Sequence, residues 1–308
     1  MKRLKNYLVF ITIIKSLELH LISKIKKRIR SLNISLNPGY ILAYWAKGRV
    51  INNWGDALNP VLIQHLSGKK PIYFNSVKNY TDKPVYSVIG SYLGNEIPAK
   101  NLHFWGSGFW RDVDEPQRNN AVYHAVRGPL SRMKLIKAGI ECHEVYGDPA
   151  ILYPLFYRPT VNKKYELGVI PHFRDKQSQH MDLFKRDDVL IIDIEGGIQK
   201  VVDQILQCQK IASSSLHGII AADAYGIPSL WIQFDDHSIN DNFKFNDYLA
   251  SVKRNSQALE IDEKCTYKIV MDSFIEEKPE LDVEALIRAC PFISKKVLDK
   301  MKPDTIFK

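Results

Sequence analysis

From Asn37-Pro38-Gly39 onward the chain alternates short runs rich in β-branched and aromatic residues with helical stretches, and few folds are open to a chain with that rhythm. A strand, a crossover helix and a further strand build a parallel sheet with helices on its faces. A first series reads as strands at 40–45, 71–74, 85–90, 102–106 and 121–126. It includes a helix from Ala57 and another from Pro129, whose Leu130, Met133, Ile136 and Ile140 share one face. A second series begins near Glu166, with strands at 189–194, 210–214 and 229–234 and helices at 197–209 and from Leu216. The pattern predicts an α/β fold of two Rossmann-like, doubly wound sheets. The segment YPLFYRPTVNKKY, with two prolines and a basic polar stretch, is the expected linker. The expected units are therefore an N-terminal segment 1–36, a first domain 37–157 and a second domain 158–308 that ends in helices around VEALIRA and ISKKVLDKM.

Composition narrows the function. With 308 residues and 45% hydrophobic side chains, the chain has material for two modest cores, which excludes a disordered or fibrous protein. The formal net charge of +9 suits an anionic partner. Much of that excess crowds into the first thirty residues without the aromatic interleaving of a nucleic-acid module, so no nucleic-acid partner is expected. Cys142, Cys208, Cys265 and Cys290 form no close pair, and no HExxH-type spacing occurs. No metal, no cofactor and a reduced, cytoplasmic setting are the expectations.

The apolar run YLVFITII is interrupted by Lys15, well short of the roughly 20 residues a spanning helix needs. No small-residue cleavage site follows; a second basic amphipathic segment does. Residues 1–32 read as a helix lying on an anionic membrane face, on the inner side of the cell membrane, or as a helix packed on the enzyme body.

Ligands of open parallel sheets bind beyond the carboxyl ends of strands, so strand-to-helix junctions carry the chemistry. In NNWGDALNP, Gly55 permits a tight turn and Asp56 can cap the next helix; alternatively Trp54 beside Asn53 and Asp56 offers a surface for stacking on and hydrogen-bonding a sugar ring. In AVRGPLS, Arg127 stands at a positive helix start opened by Pro129, an arrangement that asks for a phosphate, a carboxylate or an aspartate partner. Asp148 in YGDPAIL reads as a helix cap or as the partner of Arg127. In ASSSLHGIIAADAYGIP a strand ends in serines, one of which caps a helix carrying His217 in its first turn. A positive helix end disfavours imidazolium, so His217 is expected to be neutral in an empty site and easier to protonate beside a bound anion. His172 and Arg174 of PHFRD either reach the same cleft or solvate a loop.

In their order, NWGDALNP, VRGPLS, YGDPAIL, IPHFRD and SSSLHGIIAADAYGIP resemble the polysaccharide pyruvyl transferases, over about Tyr40 to about Phe234. The resemblance implies two Rossmann-like domains facing a cleft, as in GT-B glycosyltransferases, and phosphoenolpyruvate as donor substrate. It implies that Arg127 and His217, with Ser215, His172 and Arg174, bind that donor. On that reading His217 is the acid or phosphate clamp, Asn53, Trp54 and Asp56 face the acceptor glycan or lipid-linked saccharide, and Asp56 is also a base. The alternatives are a nucleotide-sugar glycosyltransferase of similar architecture and an inactive glycan-binding protein.

Overall fold

A computed structural model describes residues 21–25, 37–46, 52–77, 83–117, 120–234, 242–275, 277–302 and 306–307. Among them, strands β1 (Tyr40–Tyr44), β2 (Lys70–Tyr73), β3 (Val85–Ser87), β4 (Leu102–Ser107) and β5 (Val122–Val126) form one parallel sheet in the order β2-β1-β3-β4-β5. Strands β6 (Tyr165–Ile170), β7 (Val189–Ile191), β8 (Cys208–Ser213), β9 (Ser229–Phe234) and β10 (Leu259–Ile261) form a second, in the order β7-β6-β8-β9-β10. The two orders are the same. In each, the chain adds its second strand on one side of the first and its third on the other, so the winding reverses between β1 and β3 and between β6 and β8. A crevice opens outside the carboxyl ends of the strands at such a reversal. Burial along β4, β6 and β9 is nearly continuous rather than alternating, as strands covered on both faces require.

The helices are α1 (Trp54–Ser67), α2 (Pro129–Lys137), α3 (Ile198–Leu206), α4 (Leu216–Ala224), α5 (Phe243–Ser251), α6 (Tyr267–Asp272), α7 (Val283–Arg288) and α8 (Lys295–Leu298). Residues of α1, α3 and α4 share one hydrophobic cluster with Ile41 and Trp105 of the first sheet and Ile170 and Ile211 of the second. The tail returns to the first half of the chain: Trp105 Nε1 of β4 donates to Leu286 O at 2.9 Å, and Ser294 N donates to Leu66 O of α1 at 2.9 Å.

Local details depart from the sequence reading. Helix α1 starts at Trp54, three residues earlier than expected, because Asn53 is its cap and accepts from Gly55 N at 3.3 Å. Asp56 therefore sits inside the first turn and caps nothing. Pro60 lies within this helix and has no N–H for the carbonyl of Asp56; the Asn59 side-chain amide donates to that carbonyl instead, at 3.3 Å. Asn59 also exchanges two hydrogen bonds of 2.9 Å with the backbone of Ile89, fixing the loop after β3 to α1. The helix expected over 197–209 stops at Leu206, and Cys208 and Gln209 belong to β8. Residues 21–25 are helical, with Leu21, Ile22 and Ile25 exposed; the rest of the 1–36 segment lies outside the described residues.

Candidate functional site

Both winding reversals open on one cavity of about 390 Å³. Tyr44 and Ala46 reach it from the end of β1, Ser91 and Tyr92 from the loop after β3, His172 and Arg174 from the loop after β6, and Ser215 and His217 from the loop after β8 and the start of α4. Asn53 and Asp56 come from the cap and first turn of α1. Two helix N-termini, one from each half of the chain, thus face the same space. Each carries about half a positive charge from its aligned peptide dipoles, which favours an anionic ligand.

The two termini are tied together. His217 Nδ1 lies 2.6 Å from Asn53 Oδ1. The same oxygen accepts from Gly55 N, which identifies it as the carbonyl oxygen of the amide and makes His217 Nδ1 the protonated nitrogen. Nε2 is then a lone pair. Burial, followed by the charges of Lys244, Arg127 and the neighbouring His172, pushes His217 down to about 3, so the imidazole is neutral in the empty cavity. His172 is likewise pushed to about 3, first by burial and then by Lys244, Arg174 and Lys176. Its backbone N–H donates to Ser214 Oγ at 2.9 Å, and that hydroxyl donates to Asp175 at 2.5 Å.

Asp56 is the acidic member. Desolvation raises it to about 6, against the opposing effects of a 2.6 Å hydrogen bond from the Tyr92 hydroxyl and of the Lys244 charge. The Tyr92 hydroxyl accepts in turn from Ala46 N at 2.9 Å. Tyr92 reaches this position because Gly90 adopts φ 131, where a Cβ would stand 2.4 Å from the Tyr92 ring.

The cavity brings together Asn53, Asp56, His172, Arg174, Ser215 and His217 from the sequence reading. Two expectations need correction. Trp54 is fully buried: its Nε1 donates to Ile198 O at 3.2 Å and its ring packs edge-on against Tyr153, so it offers no face to a sugar. Arg127 is only 1% exposed and does not line the cavity. Its guanidinium donates to Asp247 Oδ2 at 3.2 Å, to Ser91 Oγ at 2.7 Å and to Phe109 O at 2.5 Å. Its partner is Asp247 of α5, not Asp148, which caps a 3₁₀ turn by accepting from Ala150 N at 3.0 Å. Arg127 acts on the cavity through its field, as its effect on His217 and Lys244 shows. Ser215 is the N-cap residue of α4, but its side chain makes no capping bond.

Sequence reasoning missed Lys244, Tyr92 and Ser91. Lys244 stands in the first turn of α5 and lines the cavity. Burial, then Arg127 and Arg174, lower it to about 8, while Asp175 and Asp56 pull the other way. No motif announces it, since FKFNDYLAS reads as an ordinary amphipathic helix. Among the described residues no group of three or more His, Cys, Asp or Glu side chains is arranged to hold a metal. No helix among them is long and apolar enough to cross a membrane.

The sequence model of the family described as polysaccharide pyruvyl transferase matches residues 53–236, a span that opens at Asn53 and closes before Lys244. The chain is 37% identical over 149 residues to the uncharacterized protein L143 of Acanthamoeba polyphaga mimivirus, covering 40% of this chain and 52% of that protein. It is 30% identical over 224 residues to the succinoglycan biosynthesis protein ExoV of Rhizobium meliloti (strain 1021), covering 68% of this chain and 64% of that one. The chain thus spans less than two thirds of either relative's length. A crystal structure of a protein of uncharacterized function from Klebsiella pneumoniae superposes with a TM-score of 0.47 and 10% identity, over 80% of this chain and 98% of that one.

Proposed function

The chain belongs to the polysaccharide pyruvyl transferase family, and on that premise we propose that it moves the pyruvyl group of phosphoenolpyruvate onto two hydroxyls of one sugar, in a surface glycan or its lipid-linked precursor. The observation that carries this reading is the pairing of an anion receptor with a titratable carboxyl in one cavity. Two helix N-termini, Arg174 and Lys244 surround the space in which Asp56 sits near 6. The donor carries a phosphate and a carboxylate, and both need such a receptor.

The reaction adds a proton to the donor's methylene carbon, making the adjacent carbon cationic. A first sugar hydroxyl attacks it, the C–O bond to phosphate breaks, and a second hydroxyl closes the ketal. Of the two hydroxyl protons, one balances the new methyl group and the other leaves on phosphate, so no oxidant or cofactor is needed. Asp56 as carboxylate takes the proton of the attacking hydroxyl. His217, its Nδ1–H held by Asn53, presents Nε2; a multiply charged donor raises its proton affinity, so it serves as acid or as phosphate clamp. Lys244 and Arg174 hold the anionic groups, with Arg127 strengthening the field from below.

The purified full chain, given phosphoenolpyruvate and candidate glycans, is expected to release inorganic phosphate and to yield a glycan carrying pyruvate by mass spectrometry. Release of a nucleoside diphosphate from a sugar donor, without pyruvylation, rejects this reading in favour of a glycosyltransferase. Residues 1–32, with the exposed Leu21, Ile22 and Ile25, act on this proposal as a peripheral anchor at an anionic cytoplasmic membrane face. Their deletion should move the protein from the membrane to the soluble fraction, and an unchanged distribution counts against the anchor.

A further inference from the structure

Among the described residues two aromatic side chains are exposed, Trp110 at 44% and Phe173 at 38%, and both border the cavity that holds Asp56 and His217. They come from opposite halves of the chain. Trp110 follows β4 of the first sheet, and Phe173 follows β6 of the second. Burying a ring is favourable by a few kcal/mol, so two rings kept in solvent at one opening need an explanation that the fold does not provide.

Both rings are steadied from one side by cations of the site. The Lys244 ammonium lies 5.6 Å from the Trp110 ring centre, and the Arg174 guanidinium lies 5.6 Å from that of Phe173. The Phe173 ring also lies 4.3 Å from that of His172. These contacts fix each ring relative to the groups proposed to bind the donor, and they leave apolar area exposed beside a polar floor. A pyranose is a ligand with that division: hydroxyls on its rim and a patch of C–H bonds on its face.

We infer that Trp110 and Phe173 form the acceptor platform, stacking on the apolar face of the sugar to be modified and so directing a hydroxyl pair toward Asp56. This rests on the pyruvyl-transfer reading and names the place of its second substrate, the role that buried Trp54 does not fill. The rings are positioning and specificity-determining residues; the proton transfers belong to the groups beneath them. Because Lys244 touches both the Trp110 ring and the donor pocket, donor binding orders the platform and the acceptor binds better to the donor-loaded protein.

The test is saturation-transfer NMR on the full chain with methyl β-D-glucopyranoside and methyl β-D-galactopyranoside, each with and without phosphoenolpyruvate. At least one glycoside is expected to receive magnetisation on the C–H bonds of one ring face, more strongly with the donor present. Trp110→Ala should weaken that binding roughly tenfold. Trp110→Phe should retain most of it, and Phe173→Ala should lower it. Circular dichroism and the thermal unfolding midpoint should match wild type in the alanine variants, as expected for substitutions of exposed side chains, which reports that they are folded. Undiminished sugar signals in both alanine variants, or no signal for either glycoside in the donor-loaded wild type, overturn the platform. Phosphate release from the donor is followed separately. A protein with Trp110-dependent sugar binding but no phosphate release leaves the platform standing and removes the donor assignment.

Discussion

A methyl group placed on Gly55 would lie 2.3 Å from Cδ2 of His217, although the two residues belong to helices of different halves of the chain. The Gly55 position in the first turn of α1 has no room for a side chain because the His217 imidazole of α4 occupies it. Gly55→Ala therefore displaces either the ring or the helix start, even though alanine is the better helix former. Displacement of a reacting group by about 1 Å costs on the order of 100-fold in rate. We expect Gly55→Ala to lower kcat for phosphate release by about that factor, with thermal unfolding little changed or slightly earlier. A variant with wild-type turnover would show that the His217 position is irrelevant to the chemistry.

The pH dependence follows from Asp56 and Lys244. Asp56 must be ionised to accept a proton, and Lys244 must be protonated to hold an anion. The profile of kcat/KM should therefore be bell-shaped, falling below about pH 6 and above about pH 8. The Tyr92 hydrogen bond holds the Asp56 carboxyl down, so Tyr92→Phe should move the acid limb to higher pH. Lys244→Met should raise the same limb, since the ammonium also favours the carboxylate, and should remove the alkaline limb. Steady-state rates from pH 5 to 9 decide this; an acid limb unmoved in both variants assigns it to another group.

Trp54 separates packing from binding. With its ring buried and its Nε1 bonded to Ile198 O, it holds α1 against the start of α3. Trp54→Ala should destabilise the protein by about 3–5 kcal/mol through the cavity it leaves. Trp54→Phe should cost less and keep the KM for both substrates. A raised acceptor KM in the well-folded Trp54→Phe protein would restore the contact that the sequence suggested.

The parallel alternation was legible because parallel strands bury both faces and leave apolar runs such as YILAY and SLWIQF, which short helices interrupt. The strand ends carrying His172, Ser215 and His217 were legible for the same reason. Strand order was not, because periodicity records burial and not neighbours. Asn53 and Asp56 were both found, but which of them caps the helix was not legible: either residue is a good cap, and the structure gives the cap to Asn53 while the Tyr92 hydroxyl holds Asp56 in the cavity. Trp54 misled because a tryptophan between asparagine and glycine has the composition of a loop, while its burial depends on α3, more than a hundred residues away. Lys244 was invisible for a related reason. A lysine on an amphipathic helix reads as solvated, and only the tertiary fold turns it toward Asp56.

The Arg127–Asp247 pair makes a prediction against the simplest use of an Arg127 variant. Both side chains are buried, and Asp247 also accepts from the backbone and hydroxyl of Ser131 at 2.8 and 2.6 Å. Removing the arginine leaves a buried carboxylate without its counter-charge, which costs about 3–5 kcal/mol. Arg127→Ala should therefore lose stability as well as activity, in chemical denaturation as much as in turnover. Arg127→Ala/Asp247→Asn should recover part of the stability and none of the activity. If Arg127→Ala unfolds at the wild-type denaturant midpoint, the pair is not holding α5 against the first sheet.

Asp148 should make the fold less stable as the solution becomes more alkaline. It is buried beside the cap it forms, its Oδ2 has no hydrogen-bond partner, and desolvation raises it to about 7, against an ordinary value of 3.8. Between those two values the folded chain keeps a proton that the unfolded chain releases. Stability therefore falls as pH rises through this window, and the full penalty applies above about pH 7. Asp148→Asn keeps an oxygen for the Ala150 amide and removes the charge. Its unfolding midpoint should exceed that of wild type at pH 8, by an offset on the order of a few kcal/mol, and the difference should close as pH falls toward 4. An offset of equal size at both ends of that range would mean that the carboxyl does not change its ionisation on folding.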